Sequence, residues 1–299
     1  MGFTVAIDTT PLVGDRTGVG ELTARLLESL PLIENPPEIL PYVLSRRAGE
    51  LPPGTRRLVM PAQLALRVWA RLPWPRERRA LAGADVVHGT NYIAPPSGRP
   101  TVLTVHDTSP ITHPERCEPT VRAFVPVLRR LVRSGAWVHT PSEYVARQVR
   151  DLLETDRVQA VHSGAPAPIT SGGDARAPQR PFVLALATAE PRKNLPRLVS
   201  AYGKAQRRLP ELALVIAGAD GSDGPAIDAA IAGLDKSALV VRVGRVDDAT
   251  RAGLLLAARA LAYPSYDEGF GFPFATPTAT SGSFAGSWWS TTPSRARAE

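Results

Sequence analysis

The sequence predicts an α/β protein built as two parallel-sheet units in series. Three observations carry that prediction. Short apolar runs ending in polar residues alternate with helical patterns along most of the chain. The alternation stops in a proline- and glycine-rich stretch from Ser163 to Pro181 and then restarts. The length, 299 residues, suits two domains of ordinary size, each able to bury a core.

The elements follow in order. Phe3 to Asp8 reads as a buried strand, followed by a loop from Thr9 to Gly20 and a helix from about Glu21 to Leu30. Ala84 to His88, Thr101 to His106 and Ala136 to Thr140 read as further buried strands with polar ends. Ser142 is placed to cap a helix over Glu143 to Leu153, and a strand follows near Arg157 to Val161. After the linker come a strand at Phe182 to Ala187, a helix at Leu195 to Arg208 and a strand at Leu212 to Ala217. A helix at Pro225 to Leu234 and a strand at Leu239 to Val243 come next. The series closes with a helix at Ala249 to Ala258, capped by Asp247-Asp248, and a strand at Ala260 to Tyr263. The resulting domains are 1–165, a linker at 166–180, a second unit at 181–273 and a tail at 274–299. The default ligand site of two such units is the cleft between them.

Composition narrows the classes. Hydrophobic residues make up 43% and charged residues 21%, which excludes a fibrous or wholly disordered chain. No apolar run reaches the roughly 18 to 20 residues of a membrane helix, and the best stretch, near Gly253 to Tyr263, contains Arg259. The N-terminus has no basic flank and meets Asp8 early, unlike a signal peptide. One cysteine, Cys117, excludes a disulfide framework and a thiolate zinc cluster. A cytoplasmic protein is therefore expected. The net charge of +7 rests almost wholly on arginine and accompanies no nucleic-acid-binding signature, so no nucleic-acid partner is expected. One cluster, Arg67, Trp69, Arg71, Trp74, Arg76, Arg78 and Arg79, has two readings: contact with the inner face of an anionic membrane, or a solvated helix face with tryptophans in the core. Pro73 and Pro75 forbid one continuous amphipathic helix through it.

Four segments carry chemistry. Gly14-Asp-Arg-Thr-Gly18-Val19-Gly20 follows a strand and opens a helix, where free amides favour an anion; alone it reads equally as a tight turn. His106-Asp107 ends a strand, where open α/β sheets place ligand groups, although a lone histidine is more often structural. Glu190-Pro-Arg192-Lys193-Asn194 sets two adjacent cations at a helix start, which suits a diphosphate; a solvated basic loop is the alternative. Tyr263 to Pro273 places Glu268 before Gly269-Phe270-Gly271. A carboxylate there accepts hydrogen bonds from ligand hydroxyls, and the glycines allow close approach to the backbone. The histidines show no metal spacing, and no metal site is expected.

Taken in order, Ile7-Asp8, Gly18-Val19-Gly20, Thr104-Val-His106-Asp107, Thr140-Pro-Ser142-Glu143, Glu190-Pro-Arg192-Lys193-Asn194 and Glu268-Gly-Phe-Gly271 resemble the family 4 retaining glycosyltransferases, of the bacterial mannosyltransferase-like kind. The resemblance runs from about residue 3 to residue 273. It implies a GT-B-like architecture of two Rossmann-like domains, the C-terminal one incomplete here. It implies a nucleotide-sugar donor on the second domain and a glycan or lipid-linked acceptor on the first. Arg192 and Lys193 would hold the donor diphosphate and stabilise charge on the leaving group. The Gly18, Val19 and Gly20 loop would approach the donor. His106 would contact the donor sugar near the reacting carbon, Glu268 its hydroxyls, and the amides of Gly269, Phe270 and Gly271 would assist. No cofactor and no metal are implied.

The chain also departs from the family pattern. A second glutamate belongs eight residues after Glu268, where Thr276 stands, and Leu, Ile and Val vanish between Pro273 and Glu299. The expectation is a frameshift near codon 273 that leaves 274–299 out of frame and poorly ordered. An active transferase and an inactive remnant both fit. A basic membrane- or nucleic-acid-binding protein fits less well, because it leaves the ordered motifs unexplained.

Overall fold

The computed structural model describes residues 2–14, 18–45, 51–58, 60–74, 79–164, 169, 171–172 and 178–271. They form two compact units: the described residues up to Gly164 together with Tyr266–Gly271, and those from 169 to Ser265. The segment Tyr266–Gly271 thus belongs to the first unit, although the sequence assigns 181–273 to the second. Most of the expected linker and the whole tail at 274–299, Thr276 included, lie outside the described residues.

In the first unit the chain runs β1 (Thr4–Asp8), α1 (Gly18–Ser29), β2 (Glu38–Val43), β3 (Arg56–Arg57), α2 (Ala62–Trp69), β4 (Val86–Gly89) and β5 (Thr101–Thr104). Two one-turn helices follow, α3 (Ser109–Thr112) and α4 (Pro119–Arg122). Then come α5 (Phe124–Arg133), β6 (Trp137–Thr140), α6 (Glu143–Leu153) and β7 (Val158–Ala160). All strands pair in parallel, in the order β3-β2-β1-β4-β5-β6-β7. The order reverses between β1 and β4, and such a switch point is where a doubly wound sheet opens a crevice at its carboxyl edge.

Burial explains why these segments are strands. Ala6 and Ile7 of β1, Val87 of β4 and Leu103 of β5 are fully buried, as strands covered on both faces require. Helix α5 buries Val127, Leu128, Leu131 and Val132 on one stripe. Ser142 caps α6 as expected, its hydroxyl accepting the Val145 amide at 3.3 Å.

Three features differ from expectation. Helix α1 begins at Gly18, so Gly18, Val19 and Gly20 form its first turn rather than the loop before it. Strand β2 contains Pro41, which argues against a strand. It is tolerated because β3 pairs with β2 only at Tyr42 and Val43, past the proline. Trp69 and Trp74 part company: Trp69 is fully buried in the core, and Trp74 is 66% exposed beyond the end of α2.

The second unit contains β8 (Phe182–Leu186), α7 (Leu195–Gln206), β9 (Ala213–Ala217), α8 (Gly224–Ala232), β10 (Val240–Gly244), α9 (Asp248–Ala257) and β11 (Ala260–Leu261). Its strands are again parallel, in the order β10-β9-β8-β11, with the reversal between β8 and β11. Leu184, Ala213, Leu214, Val215 and Ala217 are fully buried in the two central strands. Gly218, at φ 153°, ends β9, and a Cβ there would collide with the Ala187 carbonyl at the end of β8.

Candidate functional site

Polar side chains collect on the carboxyl edge of the first sheet, contributed by β1, β4, β5 and β6 around the switch point. Asp8, at the end of β1, is 5% exposed, and its carboxylate accepts the Thr10 amide at 2.9 Å and the Thr10 hydroxyl at 2.5 Å. Burial raises its pKa to about 6, and the two Thr10 hydrogen bonds offset only part of that shift. The Thr90 hydroxyl donates to the Asp8 carbonyl at 2.8 Å, and the Thr90 carbonyl faces Nε2 of His106 at 2.8 Å.

A carbonyl only accepts, so His106 carries its proton on Nε2 and offers Nδ1 as the acceptor. Burial lowers the His106 pKa, against the Thr90 hydrogen bond and Asp107, which raise it, and His139 lowers it further. The ring is therefore neutral near pH 7. The same logic orients two more histidines. Nε2 of His139 donates to the Val161 carbonyl at 3.2 Å, so Nδ1 accepts the Thr104 hydroxyl at 3.0 Å. That hydroxyl in turn accepts Nε2–H of His88 at 2.8 Å. Burial depresses both rings, His88 to about 4 with help from His139 and His106. The Thr104 bridge needs His139 neutral, because only a neutral ring leaves Nδ1 free to accept.

Of the predicted residues, His106 and the Glu268 segment come together. Gly269 packs so tightly on the His106 carbonyl that a Cβ would overlap it, and Pro141 lies against the same face. The Ser142 hydroxyl donates to the Gly269 carbonyl at 2.7 Å. Glu268, Phe270 and Gly271 follow from that placement, with Gly271 at φ 76° turning the chain. Gly18, Val19 and Gly20 open α1, the helix that follows β1 on the same sheet edge.

Arg192 and Lys193 lie in the second unit, in a short turn between β8 and α7. Lys193 is only 8% exposed; its ammonium donates to the Tyr263 hydroxyl at 2.9 Å and lies 4.9 Å from that ring's centre. Burying a lysine this far calls for partners, and the Tyr263 contact is one. Arg192 pairs with Glu190 at 3.6 Å. Asn194 takes the left-handed conformation, φ 55°, and its side chain donates to the Pro264 carbonyl at 3.1 Å, tying the turn to the end of β11. Beside this turn a pocket of about 260 Å³ opens over the ends of β8, β9 and β10, lined by Ala187, Ala189, Gly218, Asp220, Arg242 and Gly244. Arg242 pairs there with Asp220 at 2.6 Å and Asp228 at 2.5 Å.

Sequence reasoning passed over Asp8, His88, His139 and Tyr263 as site residues. Three of them stand at or next to strand ends, the same signal that singled out His106. Tyr263 follows the last strand two residues on. Among the described residues no cluster of three or more His, Cys, Asp or Glu side chains could hold a metal.

Two family models match the chain. Residues 40–167 match Glycosyltransferase Family 4 and residues 173–277 match Glycosyl transferases group 1, so that together the matches cover most of both units. The chain belongs to glycosyltransferase family 4. A curated relative of this kind, O-antigen chain mannosyltransferase B of Escherichia coli, is 25% identical over 297 residues, covering 89% of this chain and 77% of that protein. Among solved structures, the lipopolysaccharide glycosyltransferase WaaG superposes with a TM-score of 0.64 at 16% identity, over 92% of this chain and 80% of WaaG. Anabaena Alr3699/HepE, solved with UDP and glucose, superposes at 0.60 and 13% identity, over 92% and 80%. These likenesses show the GT-B fold expected from the resemblance. No helix among the described residues is long and apolar enough to cross a membrane.

Proposed function

We propose that this glycosyltransferase moves a hexosyl group, mannose or a close relative, from a nucleotide-sugar donor to a glycan or lipid-linked acceptor with retention of configuration. The observation that carries the reading is Lys193, a cation held 8% exposed beside Arg192 on the carboxyl edge of the second sheet. Two adjacent cations in the turn that opens α7 suit a ligand rich in negative charge, and a nucleoside diphosphate is one. The neighbouring pocket is of a size for a nucleoside. HepE, solved with UDP and glucose, shares the fold, and the Escherichia coli relative is a mannosyltransferase.

The chemistry then follows from charge. As the bond to the anomeric carbon breaks, negative charge grows on the diphosphate, and Arg192 and Lys193 stabilise it more than they stabilise the intact donor. His106, neutral, presents a hydrogen-bond acceptor at Nδ1 and cannot protonate the leaving group. Glu268 accepts from sugar hydroxyls, and the amides of Gly269, Phe270 and Gly271 donate to the donor. The roles of Gly18, Val19 and Gly20 are amide contacts at the start of α1. Front-face attack needs no carboxylate nucleophile, and the reading calls for no metal.

Donor hydrolysis followed by proton NMR tests it. Incubated with GDP-mannose and UDP-glucose, the protein is expected to release the α sugar from at least one of them. Initial release of the β anomer would contradict retention, and turnover of neither would remove the donor assignment.

A further inference from the structure

The Thr140-Pro-Ser142-Glu143 motif has so far explained only a helix cap, yet its surroundings do more. The Ser142 hydroxyl works in two directions: it accepts the Val145 amide at 3.3 Å, capping α6, and donates to the Gly269 carbonyl at 2.7 Å. The next turns of α6 reach the same segment. The Thr108 hydroxyl donates to Oε1 of Gln148 at 3.0 Å, Nε2 of Gln148 donates to the Tyr144 hydroxyl at 3.2 Å, and that hydroxyl donates to Asp267 at 3.4 Å. The chain of hydrogen bonds starts two residues after His106 and ends one residue before Glu268. On the far side the Arg116 guanidinium stacks on the Tyr266 ring at 4.0 Å.

We propose that Ser142, with Gln148 and Tyr144, positions Glu268 and the Gly269–Gly271 amides against His106, so that α6 sets the geometry of sugar recognition. The inference rests on the function proposed above. It follows from the hydrogen bonds that α6 makes to both sides of Glu268. Each link is modest, but they act on residues 266, 267 and 269, on both sides of Glu268, and displacing a catalytic group by about 1 Å is enough to slow a reaction about a hundredfold. The hydroxyl of Ser142 is the short bond of the set, and it sits beside the close approach of Gly269 to the His106 carbonyl.

The two roles of Ser142 separate by substitution. Ser142→Asp keeps an N-cap acceptor for the Val145 amide, since aspartate and serine cap about equally well. A carboxylate cannot donate to the Gly269 carbonyl and repels it instead. Ser142→Thr keeps both roles. Gln148→Met, on the surface of α6, cuts the second path without touching the cap. The readouts are hydrogen exchange of the peptide spanning 264–271 and steady-state hydrolysis of GDP-mannose and UDP-glucose. Ser142→Asp is expected to speed exchange of that peptide about tenfold or more and to lower kcat about tenfold with KM within about twofold. Gln148→Met should shift both in the same direction by less, and Ser142→Thr should restore both. Unchanged exchange and unchanged kcat in Ser142→Asp and Gln148→Met would overturn the inference. If the unaltered protein hydrolyses neither donor, the proposed function fails. The exchange measurement still decides whether α6 holds the segment.

Discussion

At the residue scale, the ionisable groups on the carboxyl edge of the first sheet pull stability in opposite directions. His88 titrates near 4 when folded and near 6.5 when unfolded, so between those values the unfolded chain binds more protons and stability is lost as pH falls. His106 and His139, also depressed by burial, act with the same sign. Asp8 acts against them. Its pKa rises from 3.8 to about 6 on folding, so in that window the folded chain binds more protons and acid favours it. Thermal melts between pH 4 and pH 7 should therefore show stability falling on acidification, and Asp8→Asn should steepen that fall because the opposing group is gone. A slope unchanged or shallower in Asp8→Asn would contradict the burial assigned to Asp8. These effects were hidden in the sequence. A strand-end position was legible for His106, but the Thr104 bridge between His88 and His139 depends on β4, β5 and β6 lying side by side, which no local pattern states.

At the element scale, the apolar runs were legible wherever burial on both faces forced them. Strands β1, β8 and β9 and helices α6, α7 and α9 start within a residue of expectation, because caps and continuous apolar runs mark them locally. Asp247 caps α9 as read, its carboxylate accepting the Thr250 amide at 2.7 Å. Strand β2 was not legible, since its acceptability depends on β3 pairing with it only at Tyr42 and Val43, past Pro41. Helix α2 was legible only as a cluster of arginine and tryptophan. Of its two tryptophans Trp69 is core, while Leu64, Leu72 and Trp74 are 49%, 55% and 66% exposed beside Arg67 and Arg71. Amphipathic aromatic and aliphatic side chains next to arginines suit an anionic bilayer surface, where each cation contributes on the order of 1 kcal/mol. Co-sedimentation with vesicles rich in phosphatidylglycerol should therefore retain the protein at low salt, and Trp74→Ala with Arg71→Ala should release it. Equal sedimentation of the variant would remove α2 and its following turn as the contact.

At the scale of the whole molecule, the order of motifs carried more than any one of them. Gly18-Val19-Gly20 alone is a turn, and His106 alone is a strand-end histidine. Placed on the first parallel sheet, the same residues fall at its carboxyl edge, where α/β proteins hold ligands. The proposed function assigns Lys193 to the donor diphosphate and His106 and Glu268 to the sugar. The placement of Tyr266–Gly271 with the first unit was beyond the sequence, because it depends on hydrogen bonds to α6 and on Gly269 packing against His106 rather than on local pattern. The central claim is that Arg192 and Lys193 receive a nucleoside diphosphate. Calorimetric titration of the protein with GDP and with UDP, repeated on Arg192→Ala, tests it most directly. Saturable binding of one nucleotide, weakened about tenfold or more by the substitution, is the predicted result, a loss of about 1.4 kcal/mol or more. A folded protein that binds neither nucleotide, or binds one equally well without Arg192, would contradict it.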